Sequence, residues 1–89
     1  MAVYVVSYDL RVPGRSYQPL WARLGEWQAQ RALESLWLIH SESSASQIRD
    51  DLRSYVDAND RLFVARLSGE TAWTSLQGVA GSWLRQRFP

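Results

Sequence analysis

The sequence predicts a small α+β domain in which helices cover one antiparallel sheet, and three observations lead there. Two runs rich in β-branched and aromatic residues, Val3-Tyr4-Val5-Val6-Ser7-Tyr8-Asp9-Leu10 and Arg61-Leu62-Phe63-Val64-Ala65-Arg66-Leu67, read as the first and last strands. Between them, two segments repeat their apolar residues at helical spacing. The 89 residues are 46% hydrophobic, which suffices for one core and excludes both disorder and a pair of catalytic domains.

The first strand stops at the turn signal Arg11-Val12-Pro13-Gly14. Tyr17, Leu20, Trp21 and Leu24 then predict a short amphipathic helix, with Ser16 placed to cap it, Pro19 tolerated in its first turn and Gly25 suited to its exit. Residues 27–33 alternate loosely and Leu36-Trp37-Leu38-Ile39-His40 is a compact apolar run, so with Glu34 and Ser35 between them they read as a hairpin. Ser44 and Gln47 stand in capping-box spacing, and Ile48, Leu52 and Tyr55 continue one face of a second helix to about Val56. Asp57-Ala58-Asn59-Asp60 turns the chain into the last strand, which Ser68-Gly69 ends.

Strand, helix, strand, strand, helix, strand is the split βαβ or ferredoxin-like plan, with both helices on one face of the sheet, over a core of about residues 1–69. In the extension, residues 70–89, Trp73, Leu76, Ala80, Trp83 and Leu84 have partial helical spacing that Gly78 and Gly81 weaken. A loop followed by a short helix near 79–87 is expected.

Ten basic residues against nine acidic give a net charge of +1, so any binding of nucleic acid must be local. Every cation is arginine and cysteine is absent. That removes lysine Schiff-base chemistry, a phosphate-loop lysine, disulfides, thiolate nucleophiles and cysteine-zinc sites. The opening Met1-Ala2-Val3-Tyr4 lacks a charged leader, and no apolar run approaches the roughly 20 residues of a membrane span. The reading is a cytoplasmic protein with no membrane partner.

Both faces of the sheet look buried. Val3 and Val5 oppose Tyr4, Val6 and Tyr8 on the first strand, and Leu62 and Val64 oppose Phe63, Ala65 and Leu67 on the last. The face away from the helices therefore needs a cover. A second copy in a two-fold homodimer, with the extension contributing to the contact, is the expected one; a monomer whose extension alone folds across the sheet is the alternative.

The opening Tyr4-Val5-Val6-Ser7-Tyr8-Asp9-Leu10, a strand ending in Tyr-Asp, resembles the start of the small CRISPR-associated adaptation protein of the "Cas-two" type. Residues 35–39, Gln47-Ile48-Arg49-Asp50, the stretch from Asn59-Asp60 to Gly69-Glu70 and Ala72-Trp73-Thr74 resemble short stand-alone, SinR-like members of that superfamily. The likeness spans nearly the whole chain. It implies a homodimer in which two Asp9 carboxylates meet across the two-fold axis and share one magnesium or manganese ion. It also implies a link to antiviral defence, with cleavage of RNA or double-stranded DNA, a toxin-like ribonuclease activity, or a non-catalytic scaffold that holds DNA beside an integrase-like or other protein partner.

The topology brings the end of the first strand beside Ser35 and the Asp57 to Arg61 turn. Phosphodiester hydrolysis wants a hard metal on carboxylate oxygens and arginines that clamp the phosphate. Asp9 is the candidate metal ligand and catalytic centre, with Tyr8 beside it as a candidate catalytic group, and Arg11 or Arg15 are the candidate nucleic-acid clamps. Ordinary roles compete: Asp9 as a turn cap before Pro-Gly, Tyr8 as core or dimer packing, and Asp60 as a turn cap with Asn59. His40 has no metal-spaced partner, the serines at 43, 44 and 46 read as caps, and the five tryptophans read as core and interface. Arg49 and Arg53 among Asp50 and Asp51 read as a salt-bridged surface; Arg85 and Arg87 complement a helix end or touch phosphate.

Overall fold

Alternating β-branched and aromatic residues make β1 (Ala2–Asp9) an interior strand in a computed structural model that describes residues 1–88. After it come α1 (Gln18–Glu26), β2 (Gln30–Leu33), β3 (Leu36–Ser41), α2 (Ala45–Arg53), β4 (Arg61–Arg66) and α3 (Ala80–Arg87). The four strands form one sheet in the order β2-β3-β1-β4, and every neighbouring pair is antiparallel. The described chain is therefore a small α+β structure of four strands and three helices.

The pleat sorts the apolar residues of β1 into two cores. Tyr4, Val6 and Tyr8 point to the inner face, where with Trp37 and Ile39 of β3 they pack against Leu20 and Leu24 of α1 and Ile48 and Leu52 of α2. Val3, on the outer face, joins Leu38, Ala32, Ala80 and Leu84 under the C-terminal extension. The extension thus supplies much of the cover that the two-sided strands demand. Gln77 N–H donates to the Ala32 carbonyl at 2.9 Å, and Trp73, Leu76 and Trp83 pack beside it. Over β4 the cover is missing: Phe63 remains 63% exposed, with Val5 and Ala65 half-buried.

The ends of the helices differ from expectation in instructive ways. Tyr17, not Ser16, is the residue that opens α1, and it makes no side-chain cap; Ser16 Oγ only accepts a long 3.4 Å bond from Gln18 N–H. At the other end Gly25 stays inside the helix. Gln28 adopts the left-handed conformation at φ 58° instead, while Gln28 N–H reaches the Gly25 carbonyl and Ala29 N–H the Leu24 carbonyl, a Schellman closure. That closure consumes residues 27–29, which is why β2 begins only at Gln30. In α2 the Ser44 and Gln47 capping box forms reciprocally. The helix stops at Arg53, and Tyr55 and Val56 pack against the inner core from the turn that follows.

Candidate functional site

Antiparallel pairing places the end of β1 against the start of β4, with Asp9 directly opposite Arg61. The turn after β3's hairpin partner also arrives there: Tyr8 N–H donates to the Ser35 carbonyl at 3.1 Å. Asp9 and Arg61 form the terminal rung on the outer face, next to Ser7 and the exposed Phe63. The Asp9 side chain is 57% exposed. Its Oδ2 lies 3.0 Å from Arg11 Nη1 and 4.0 Å from Arg61 Nη1.

Arg11 is held in place by its own backbone. Its N–H donates to Asp60 Oδ1 at 2.7 Å, and the same oxygen accepts the Tyr17 hydroxyl at 2.9 Å, while Asp60 Oδ2 accepts Asp57 N–H at 2.8 Å. Asp60 therefore ties the loop after β1 to the loop before β4. Burial pushes its carboxyl upward, but the N–H donors of Arg11 and Asp57, the Tyr17 hydroxyl and the charge of Arg15 outweigh this, and it titrates below the ordinary carboxylate range. The Tyr17 phenol moves up, first through burial and then through its bond to Asp60. Arg15 spans the same loops, 3.4 Å from Asp57 Oδ1 and 5.7 Å from the centre of the Tyr17 ring.

Tyr8 faces the opposite way from Asp9. Its hydroxyl is buried among inner-face residues, where it accepts the indole N–H groups of Trp21 (3.1 Å) and Trp37 (2.9 Å) and donates to the Glu34 carbonyl (3.3 Å). Both acceptor positions and the single proton of the phenol are in use. The sequence thus brings Asp9, Arg11 and Arg61 together, puts Arg15 one loop away, and sends Tyr8 into the core. His40 lies at the far end of β3, opposite Val3.

One chain offers a hard cation a single exposed carboxylate at this edge, already flanked by two guanidinium groups. Among the described residues no cluster of three or more histidine, cysteine, aspartate or glutamate side chains is poised to hold a metal. Magnesium and manganese prefer several oxygen ligands, so the donor set fits a dication only when a second Asp9 supplies another carboxylate.

Two arrangements had no sequence signal. The Asp60 hub joins residues 43 and 49 positions apart, and only the β1 to β4 pairing makes them neighbours. Arg23 and Asp51 form a two-bond pair between α1 and α2, Nε to Oδ1 at 2.9 Å and Nη2 to Oδ2 at 2.7 Å, with the Arg23 guanidinium 4.7 Å from the Trp27 ring centre. Arg23 holds the Asp51 carboxyl below its ordinary range against the opposing effect of burial, and Asp51 in turn raises the guanidinium. No helix is long and apolar enough to cross a membrane among the described residues. No protein-family model matches the chain, and no solved structure matches it at a significant level.

Proposed function

We propose that this chain is a homodimeric nucleic-acid-associated protein of ferredoxin-like plan, similar to stand-alone members of the Cas-two superfamily, with the Asp9 edge as its functional centre. The strand order β2-β3-β1-β4 with α1 and α2 packed on one face supports the plan. The single observation that carries the functional reading is the terminal rung of Asp9 and Arg61, exposed on the part of the outer face that the extension leaves open.

A second copy seated on Phe63 and its neighbours would bring another Asp9 to this edge. The two Asp9 carboxylates would hold a magnesium or manganese ion, which would supply an activated water for phosphodiester hydrolysis. With Asp9 so engaged, Arg11 and Arg61 are released to grip phosphate as charge builds on it. Cleavage of RNA or duplex DNA that requires magnesium or manganese, and that is lost in Asp9→Ala while the dimer persists, is the expected result. Cleavage undiminished in that variant removes Asp9 from the mechanism.

A second reading is favoured by the ion pairs Asp9 already makes. With Arg11 at 3.0 Å, the carboxylate is neutralised within its own chain, and the protein acts as a non-catalytic dimeric scaffold for a duplex or a protein partner. The two readings separate by salt: contacts to phosphate weaken steeply as salt rises, whereas an apolar protein contact does not.

A further inference from the structure

The arginines divide into two groups by partner. Those at 11, 15, 23, 31, 49, 53 and 61 each have a carboxylate within 4.0 Å, whereas Arg66, Arg85 and Arg87 have none among the described residues. Two of these three, Arg66 from the end of β4 and Arg87 from the end of α3, line one cavity of about 540 Å³ together with His40 from the end of β3, Ser68 and Phe88. Val3, which lines this cavity, lies six positions before Asp9 on β1, about 20 Å away at about 3.3 Å per residue.

Arg87 is held in position there. Its guanidinium lies 3.9 Å from the Trp83 ring centre, and Nη1 donates to the Trp83 carbonyl at 3.2 Å. Its Nε is buried and has no hydrogen-bond partner among the described residues. A buried donor left without an acceptor is unfavourable and uncommon. Glu42, just past the end of β3, lines an adjoining cavity with Arg66 and forms no ion pair with it within 4.0 Å. Two arginines from separate elements, Arg66 and Arg87, therefore converge on a space where neither has a carboxylate within 4.0 Å among the described residues.

We infer that this end of the sheet binds a phosphate group, as free phosphate or as a small phosphate monoester, between Arg66 and Arg87. Planar guanidinium groups suit a tetrahedral oxyanion, the cavity is within the size of small-molecule sites, and Phe88 provides an apolar wall for the rest of an ester. The site goes beyond the Asp9 edge and does not depend on it.

Titration calorimetry on the intact chain at low salt, using inorganic phosphate, ribose 5-phosphate and a 5′-mononucleotide separately, tests this. Saturable binding of at least one of them at one per chain is expected, weakened about tenfold or more in Arg66→Gln, a substitution at an exposed strand end. Arg87→Lys, which keeps the charge but loses the fork, should weaken it as well, and the binding should persist in Asp9→Ala. A preference for either ester over inorganic phosphate shows that the cavity holds the remainder of the ligand; equal affinity assigns the site to the phosphate group alone. No saturable binding of any of the three, wild-type affinity in Arg66→Gln, or loss of binding in Asp9→Ala would each overturn the inference. Because cleavage by the Asp9 edge is read separately, its failure leaves this result intact.

Discussion

The Tyr8 hydroxyl is the acceptor for two tryptophan N–H groups in the inner core. Replacing it by phenylalanine keeps the ring and strands both indoles, so Tyr8→Phe should destabilise the fold by about 1–3 kcal/mol in urea unfolding. Asp60 and Asp51 act through charge instead. Both titrate below the ordinary carboxylate range in the folded chain, so the unfolded chain takes up protons first on acidification. The stability they contribute is complete above about pH 4 and is lost as pH falls through their lowered folded values. Urea midpoints followed from pH 7 to pH 2 should show this loss, and Asp60→Asn should flatten it. These residue roles were partly legible. Asp60 reads as a turn cap from its place after Asn59, and the bond to Asp57 N–H is that cap. Its bonds to Arg11 and Tyr17 belong to tertiary structure and leave no local pattern. The same is true of Tyr8, whose neighbour Asp9 drew attention to it in the sequence although the pleat turns the two side chains to opposite faces.

Elements were read best where periodicity and capping agreed. The capping box of α2 is visible in Ser44 and Gln47, and Ser44→Ala should lower stability by about 1 kcal/mol in the same unfolding assay. The exit of α1 was read at Gly25 because glycine suits a left-handed exit, yet the chain uses Gln28 for it. Schellman closure at that point is set by where Leu24 must be buried, which sequence spacing of a lone glycine does not report. Gln28→Gly should therefore stabilise the chain by about 0.5–1 kcal/mol, since glycine accepts φ 58° without a Cβ clash. The α3 helix, expected near 79–87 and formed by Ala80–Arg87, packs Ala80 and Leu84 on the outer face. Leu84→Ala should cost about 2–5 kcal/mol, read as a lowered unfolding midpoint.

At the scale of the molecule, near-neutral net charge hides an uneven arrangement. Carboxylates accompany the arginines at the Asp9 end, whereas Arg66 and Arg87 at the opposite end have none within 4.0 Å among the described residues. Net charge could not reveal this, because it depends on which strand ends the sheet brings together. The need for a cover on the outer face was legible in the two-sided pattern of β1, and the extension meets part of it. What the sequence could not apportion was how far the extension would reach, and its described residues leave Phe63 63% exposed. The account rests on a second copy completing that face and aligning two Asp9 carboxylates. Manganese titration of the purified protein, with the assembly state followed by sedimentation, tests this most directly. The account predicts a dimer that binds one ion per two chains, and an Asp9→Ala protein that remains dimeric but binds none; a monomer at working concentrations, or manganese binding unchanged in Asp9→Ala, contradicts it.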